Sequence, residues 1–418
     1  MSLAWTAYRL VAPALGALAP AAGLFTSPLE RELWGERMGD VHIAGGCDAW
    51  VHAASLGEAG AAGPLVAALL DLDPAARLCL TATTRTGRER LKRLGPPVSL
   101  APIDSPQAVA RFFAGTRPRR LFIVETELWP HWLMHARAAR VPVAIVSARL
   151  SPSSVRGYLG LGSDLRGLVA GLAAVLCQTD EDRSRWLEIG ARPLVTSTVG
   201  NLKWDGLPVQ TSQPGAARRR LGLDPERPLL VLGSLRPGEA RMLAMAWITL
   251  PAPVRQRWQV VAVPRHLRAS RDLEEEARRV GVSVVRDALP AGGEWRWEDR
   301  TGVLNDYYAA AEVAVVGGSL THHRGHNPLE PAACGAAVVT GPHHESQLDA
   351  VTALRRHDAI RVVEDQRDLQ SALETLLSDD ADRARRGSAA RSAVRALGGA
   401  ARRAAQCLLA LDLWPVPK

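Results

Sequence analysis

The chain has 418 residues, a formal net charge of +8, 47% hydrophobic residues and 22% charged residues. That length and balance predict two domains with a core each, and they exclude a disordered or fibrous chain. The positive charge points to an anionic partner, either a phosphorylated molecule or a membrane surface; no Lys/Arg block is interleaved with aromatics, so nucleic acid is not expected.

In chain order, the first feature is the charge-free run from Leu10 to Leu29. Its length approaches a membrane span, but Pro13, Pro20 and Pro28 interrupt it. Residues 1–30 are therefore expected to lie on a membrane surface rather than to cross it, with a domain-packing helix as the alternative. No cleavable signal peptide is expected. The five cysteines, Cys47, Cys79, Cys177, Cys334 and Cys407, are scattered and form no CxxC pair, which fits a reducing compartment.

Short apolar runs then alternate with amphipathic stretches. Strands are expected at 49–53, 78–81, 121–124, 143–146, 173–177 and 194–199, with helices between them, as at 59–70 and 86–94. The periodicity stops at 206–215, a Gly/Pro/Ser-rich linker. It resumes with strands at 229–232, 259–263, 282–285, 313–316, 337–340 and 361–363. The stretch 287–300, with Pro290, Gly292 and Gly293, reads as a surface loop, and an Ala/Arg-rich helical tail follows from 381. This rhythm predicts two α/β domains of parallel sheet, at 31–205 and 216–380, with a tail at 381–418.

Several strand ends carry polar motifs. The first strand runs into His52-Ala53-Ala54-Ser55-Leu56-Gly57-Glu58, which places Glu58 beside a helix N-terminus at a strand's carboxyl end. A carboxylate there can accept a proton from a substrate hydroxyl, or can simply complement the helix dipole. Thr83-Thr84-Arg85-Thr86 can bind phosphate or cap a helix. Glu125-Thr126-Glu127-Leu128-Trp129-Pro130 follows another strand; its two carboxylates, two residues apart on an extended chain, face one side. Arg149 and Lys203 are cations at later strand ends, and Lys203 can serve an anion or an ion pair. In the second domain, Val263-Pro264-Arg265-His266 follows a strand, and an arginine there suits a phosphate or a base.

The longest motif is Gly317-Gly318-Ser319-Leu320-Thr321-His322-His323-Arg324-Gly325-His326-Asn327-Pro328-Leu329-Glu330-Pro331, directly after the strand at 313–316. Asn327 is placed to cap a helix, with Pro328 at its first position and Glu330 at its third. Free backbone N–H groups there can hold phosphate, and the carboxylate can meet a ribose. Any glycine turn with a cap shares part of this pattern. His322 and His326 stand four apart, but no HExxH or carboxylate set accompanies them, so no metal is expected.

Taken together these strings resemble the Kdo (3-deoxy-D-manno-octulosonic acid) transferases, over roughly 31–377. The resemblance rests on His-Ala-x-Ser-x-Gly-Glu, Glu-Thr-Glu-Leu-Trp-Pro, Gly200-Asn201-Leu202-Lys203-Trp204-Asp205, Pro-Arg-His and Gly-His-Asn-Pro-Leu-Glu-Pro. It implies an inverting, metal-independent glycosyltransferase of the GT-B fold, with two Rossmann-like domains facing a cleft and a tail that can return to the first domain. The implied donor is CMP-Kdo, the acceptor a lipid A precursor, and the location the cytoplasmic face of the cell inner membrane, with no cofactor. Glu58 would then be the catalytic base, Glu125 a second acidic group at the reaction centre, and Lys203 a cation for the departing phosphate. Ser55, Gly57, Thr84 and Arg149 would meet the acceptor. Pro264, Arg265, Thr301, Gly302, Val303, Gly317, Gly318, Ser319, Asn327, Pro328, Leu329 and Glu330 would hold CMP-Kdo.

The chain departs from the family pattern at Ser147 (usually Asn), at Leu235-Arg236 (usually Thr-His), at Val303 (usually Glu) and at Arg324 (usually Gly). Two other readings stay open. One is a sugar-nucleotide epimerase of similar fold, and the other a non-catalytic nucleotide-binding relative.

Overall fold

The computed structural model describes Trp5, Tyr8, Val11, Arg31, residues 33–207 and residues 213–415. The chain divides into two units, Met1–Gly206 with Leu397–Lys418, and Leu207–Ala396. The membrane-surface reading of 10–29 and the core of the linker, 208–212, lie outside the described residues. Among the described residues, no helix is long and apolar enough to cross a membrane.

The first unit holds β1 (Ala49–His52), β2 (Leu78–Ala82), β3 (Val98–Leu100), β4 (Leu121–Val124), β5 (Val143–Ala148), β6 (Ala174–Cys177) and β7 (Thr196–Thr198). They form one sheet in the order β3-β2-β1-β4-β5-β6-β7, with every neighbouring pair parallel. Helices cover both faces, so the strands are apolar throughout rather than alternating. In β4, Leu121 and Ile123 enter a cluster with Trp50, Phe112 and Trp132, while Phe122 and Val124 enter the opposite one with Leu65 and Leu69. Trp5 joins the first cluster. Tyr8 stacks on His131 at 5.2 Å and hydrogen-bonds Asp104.

The second unit repeats the plan with β8 (Leu229–Leu235), β9 (Gln259–Pro264), β10 (Val284–Val285), β11 (Trp295–Trp297), β12 (Val313–Val316), β13 (Ala337–Thr340) and β14 (Ile360–Val362). Its order is β10-β11-β9-β8-β12-β13-β14, again all parallel.

Two short strands escape the periodicity. The surface loop expected at 287–300 contains β11, whose residues are buried between β9 and β10. Three residues are too few to set a pattern, and the flanking Pro and Gly signal a turn. β3 is missed for the same reason of length. The tail expected from 381 divides: helix Asp380–Leu397 lies mostly in the second unit, and helix Ala400–Ala410 belongs to the first. Ala400, Ala404, Leu408 and Trp414 share a buried cluster with Leu65 and Leu69, and the Trp414 indole donates to the Leu69 carbonyl at 2.9 Å.

The strand order reverses between β1 and β4 in the first sheet and between β8 and β12 in the second. At such a switch point, connections leave to opposite faces and open a crevice at the strands' carboxyl ends. The ends of β1 and β4 carry Ser55–Glu58 and Glu125–Glu127, and those of β8 and β12 carry Ser234–Arg236 and Gly317–Ser319.

Candidate functional site

In the first unit, helix Leu56–Leu72 starts with a complete capping box. Ser55 Oγ accepts the Glu58 N–H at 3.3 Å, and Glu58 Oε2 accepts the Ser55 N–H at 3.0 Å. The dipole-and-cap reading of Glu58 is therefore realised, and it leaves the second carboxylate oxygen for chemistry. Burial pushes the Glu58 carboxyl up, the Glu125 charge pushes further, and the amides of Ser55 and Ala54 with the Lys203 ammonium pull it back.

Glu125 ends β4 in the left-handed region, at φ 65°, and its carboxylate pairs with Lys203. A side-chain-bearing residue there carries strain, a pattern that concentrates at functional sites. Lys203 sits on the short turn Leu202–Trp204. Asn201 Oδ1 accepts the Lys203 N–H at 2.9 Å, and the Asn201 amide donates to Gln178 at 3.0 Å. Gln178 donates to the Ser147 carbonyl at 3.0 Å, and Ser147 Oγ accepts the Leu202 N–H at 3.3 Å. Ser147 thus serves the loop that presents Lys203. A Cβ on Gly57 would lie 4.0 Å from Lys203 Nζ, so the ammonium rests over the first turn of the Glu58 helix.

Glu127, on the same segment as Glu125, is a carboxylate of clearly raised proton affinity. Burial and then the Glu58 charge push its carboxyl up to about 7, against a hydrogen bond from Trp129. Glu58 thus lies near both other carboxylates, while the Lys203 ammonium faces Glu125 and Glu58. Like charges that close raise one another's proton affinity, as a general base near neutral pH requires. The alternation of Glu125 and Glu127 was the available signal. His52 does not take part: it is fully buried against Thr81 at 2.8 Å, and burial holds it down at about 3.

The acceptor-side expectations divide. The Thr84 hydroxyl donates to the Ala54 carbonyl at 3.3 Å and accepts the Gly87 N–H at 3.2 Å, so its donor is taken by Ala54 and its oxygen caps the helix. Ser55 Oγ is likewise used in its cap. Arg149 is exposed, and its carbonyl accepts the Thr126 hydroxyl. Beside the Glu58 helix, Leu56, Arg85, Thr86, Glu89, Arg90 and Arg93 line a cavity of about 320 Å³, and Leu56 is 55% exposed.

In the second unit, a bulge between Gly233 and Leu235 turns the end of β8, with Ser234 left-handed at φ 58°. Glu239 is fully buried, and its carboxylate accepts the N–H groups of Arg236 at 2.9 Å, Gly318 at 2.8 Å and Leu320 at 2.9 Å. Burial pushes this carboxyl up, and those amides with that of Thr321 pull it back. It ties the β8 loop to the β12 loop. A Cβ on Gly317 would lie 2.6 Å from the Ser234 carbonyl oxygen, so only glycine fits there.

Ser234, Pro264, Arg265, Arg300, Thr301 and Gly302 line a cavity of about 650 Å³. Arg265 is exposed at its wall, and burial pushes the neighbouring Glu330 carboxyl up while Asn327 and Arg265 pull it down. Arg300 is neutralised by Glu298 at 2.6 Å; burial opposes the Glu298 charge, but Arg300 and Tyr307 hold it at about 2. Arg265 and Arg268 thus remain as cations on the cavity wall.

Other donor-side expectations change. Val303 packs on the core cluster around Leu223 and Tyr307 instead of the cavity. The Ser319 hydroxyl is fully buried, donating to the Val316 carbonyl at 2.5 Å and accepting the Gly341 N–H at 2.8 Å, so it holds backbone and not ligand. The helix runs Leu329–Cys334 with Pro328 as cap, one residue later than expected, while Asn327 Oδ1 accepts the Leu329 N–H at 3.0 Å. At six residues its dipole is weak, so it offers little to an anion. The rings of His322 and His343 lie 3.9 Å apart, yet no group of three or more metal-ligating side chains occurs among the described residues.

Residues 32–206 match the family model described as 3-deoxy-D-manno-octulosonic-acid transferase (kdotransferase), and residues 266–409 match one described as glycosyl transferase-like. The chain is 37% identical over 382 residues to the 3-deoxy-D-manno-octulosonic acid transferase of Bordetella pertussis, covering 87% of each. It is 29% identical to that of Haemophilus influenzae, covering 81% of each. Among solved structures it resembles the UDP-GlcNAc 2-epimerase of Neisseria meningitidis with a TM-score of 0.61, over 87% of this chain and 99% of that one. At 11% identity, that likeness reports the fold alone.

Proposed function

Because this chain belongs to the 3-deoxy-D-manno-octulosonic acid transferase family, a family of glycosyltransferases, we propose that it transfers Kdo from CMP-Kdo to a lipid A precursor in lipopolysaccharide core synthesis. The observation that carries the reading is the convergence of Glu58, Glu125 and Lys203, with Glu127 close to Glu58, at the switch point of the first sheet.

Glu58 takes the proton of an acceptor hydroxyl. The oxygen bonds to the anomeric carbon on the face opposite CMP, the bond to the phosphate oxygen breaks, and CMP leaves with the electron pair. Inversion follows. Arg265 meets the phosphate, and Pro264, Thr301 and Gly302 flank the nucleoside, with Glu330 for its ribose. Lys203 has a different task from the one the sequence implied. Its ammonium is engaged by Glu125, so it offsets that charge and lowers the proton affinity of Glu58. Nothing in this scheme asks for a metal.

The cavity beside Leu56, Arg85, Arg90 and Arg93 suits an acceptor with an apolar body and phosphate groups. A peripheral enzyme at the cytoplasmic face of the inner membrane fits that surface. The epimerase alternative loses its support, since the likeness to epimerases is one of fold. Incubation with CMP-Kdo and a tetraacylated lipid A precursor should release CMP and add the mass of Kdo to the lipid; CMP-Kdo consumed without lipid mass gain would overturn the assignment.

A further inference from the structure

We propose that Arg236 and His326 form a second anion subsite beside Arg265, and that it takes the carboxylate of the donor sugar; this rests on reading the second unit as the CMP-Kdo site. Three neighbouring strands, β9, β8 and β12, end side by side. Leu235 is in register with Pro264, and the Arg265 N–H donates to the Leu235 carbonyl at 3.0 Å, so Arg236 and Arg265 leave adjacent strand ends at the same level. From β12, the Gly317 N–H donates to Gly233 at 2.8 Å, and the His326 N–H returns to Gly317 at 3.1 Å. The His326 ring is held against this strand end, since a Cβ on Gly318 would lie 3.0 Å from its Nε2.

Two atoms of this cluster are buried without a hydrogen-bond partner, Arg236 Nε and His326 Nε2. Buried polar atoms are almost always paired, so an unpaired donor on a guanidinium calls for an acceptor that arrives from outside. The protein offers none. Among the described residues neither Arg236 nor Arg265 forms an ion pair, and both oxygens of Glu239, which binds the Arg236 backbone, already serve amides. Burial, then Arg265 and Arg236, hold His326 down at about 4, so the ring is neutral and can donate one N–H without adding charge.

The donor's chemistry fits this pair of cations. CMP-Kdo carries two anionic groups, the phosphate and the carboxylate, on the same anomeric carbon. They need two positive sites a few ångströms apart, and neighbouring strand ends, at about 4.8 Å, supply that spacing. Arg265 lines the nucleotide cavity and takes the phosphate; Arg236 does not line it and takes the carboxylate through its planar fork. The arginine is a departure from the family pattern, where Thr-His stands at 235–236. A nucleotide sugar without a carboxylate would leave the buried Arg236 Nε unpaired, so the same residue selects the donor.

The test compares two ligands on the full chain. Arg236→Ala should leave the CMP dissociation constant within about twofold by calorimetry and lower kcat/KM for CMP-Kdo by about tenfold or more, chiefly through KM. Arg236→Lys should recover part of that loss, and retained CMP affinity shows that either variant is folded. An equal fall for CMP and CMP-Kdo in Arg236→Lys would make Arg236 a phosphate ligand, and unchanged kcat/KM in Arg236→Ala would show that no carboxylate reaches it; either overturns the proposal. The underlying reading is checked separately by Arg265→Ala, since CMP affinity unaffected by that change removes the nucleotide site itself from this cavity.

Discussion

Glu239 Oε2 lies 2.8 Å from the amide nitrogen of Gly318, joining two loops that are 79 residues apart in sequence. With the amides of Arg236 and Leu320 on the same carboxylate, one buried side chain sets the conformation of the β8 and β12 strand ends. Glu239→Gln keeps one acceptor oxygen and turns an NH2 group toward amide donors. We expect a loss of about 1–3 kcal/mol in stability, the cost of unpaired buried amides, together with weaker CMP binding. Thermal unfolding and calorimetry check this, and an unchanged melting temperature would show that the loops hold themselves.

Glu58→Gln separates the two tasks of that side chain. The amide oxygen can still accept the Ser55 N–H, so the helix start and the CMP affinity are expected to survive. Turnover should fall by at least about 100-fold, the scale of a lost general base. Wild-type turnover would assign Glu58 to the cap alone.

Lys203→Met removes the ammonium that pairs with Glu125 and lowers the proton affinity of Glu58. Proton affinity at Glu58 should rise further, because a charge that lowers it is gone. The acid limb of the pH–rate profile is then expected to move to higher pH. A limb that stays in place with reduced kcat at all pH values would instead point to Lys203 acting on the leaving phosphate.

Glu127 gives a pH-dependent stability of definite sign. Its carboxyl moves from the ordinary 4.5 up to about 7, so the folded state binds the proton more tightly than the unfolded state. Stability from this group is complete below about 4.5 and is lost as pH rises to 7. Glu127→Gln should therefore stabilise the protein at pH 8 by roughly 1–2 kcal/mol, discounted because the carboxyl reaches solvent, and have little effect at pH 4. Urea titrations at the two pH values check it; equal effects at both would remove the shift.

Arg90→Glu with Arg93→Glu addresses the basic cavity beside Leu56. Each cation near an anionic surface adds about 1 kcal/mol, so the double reversal should release most of the protein from anionic liposomes while CMP affinity stays. Full sedimentation with liposomes in the variant would place the lipid contact elsewhere.

The strands were legible because both faces of each sheet are covered, which turns them into apolar runs bounded by polar turns. β11 was not, because its burial comes from neighbours that are distant in sequence. The motifs located both strand-end sites but not how their atoms are used. Ser319 and Thr84 look like ligand binders in the sequence, yet each hydroxyl is turned onto local backbone. Glu239 looks like one more first-turn carboxylate, since the amides it serves on the β12 loop lie 79 and 81 residues away. Glu127 carries no distinguishing sequence signal because its shift arises from burial and from Glu58 on a helix distant in sequence.

The return of helix Ala400–Ala410 to the first unit has a consequence for the order of assembly. Ala404, Leu408 and Trp414 close a face of that unit's core, and they leave the ribosome after the whole of the second unit. The amino-terminal half cannot finish folding as it emerges, and must wait with Leu65 and Leu69 uncovered while its successor is made. Nascent chains arrested near residue 396 are the ones expected to engage chaperones, because that gap is filled only when the tail comes back.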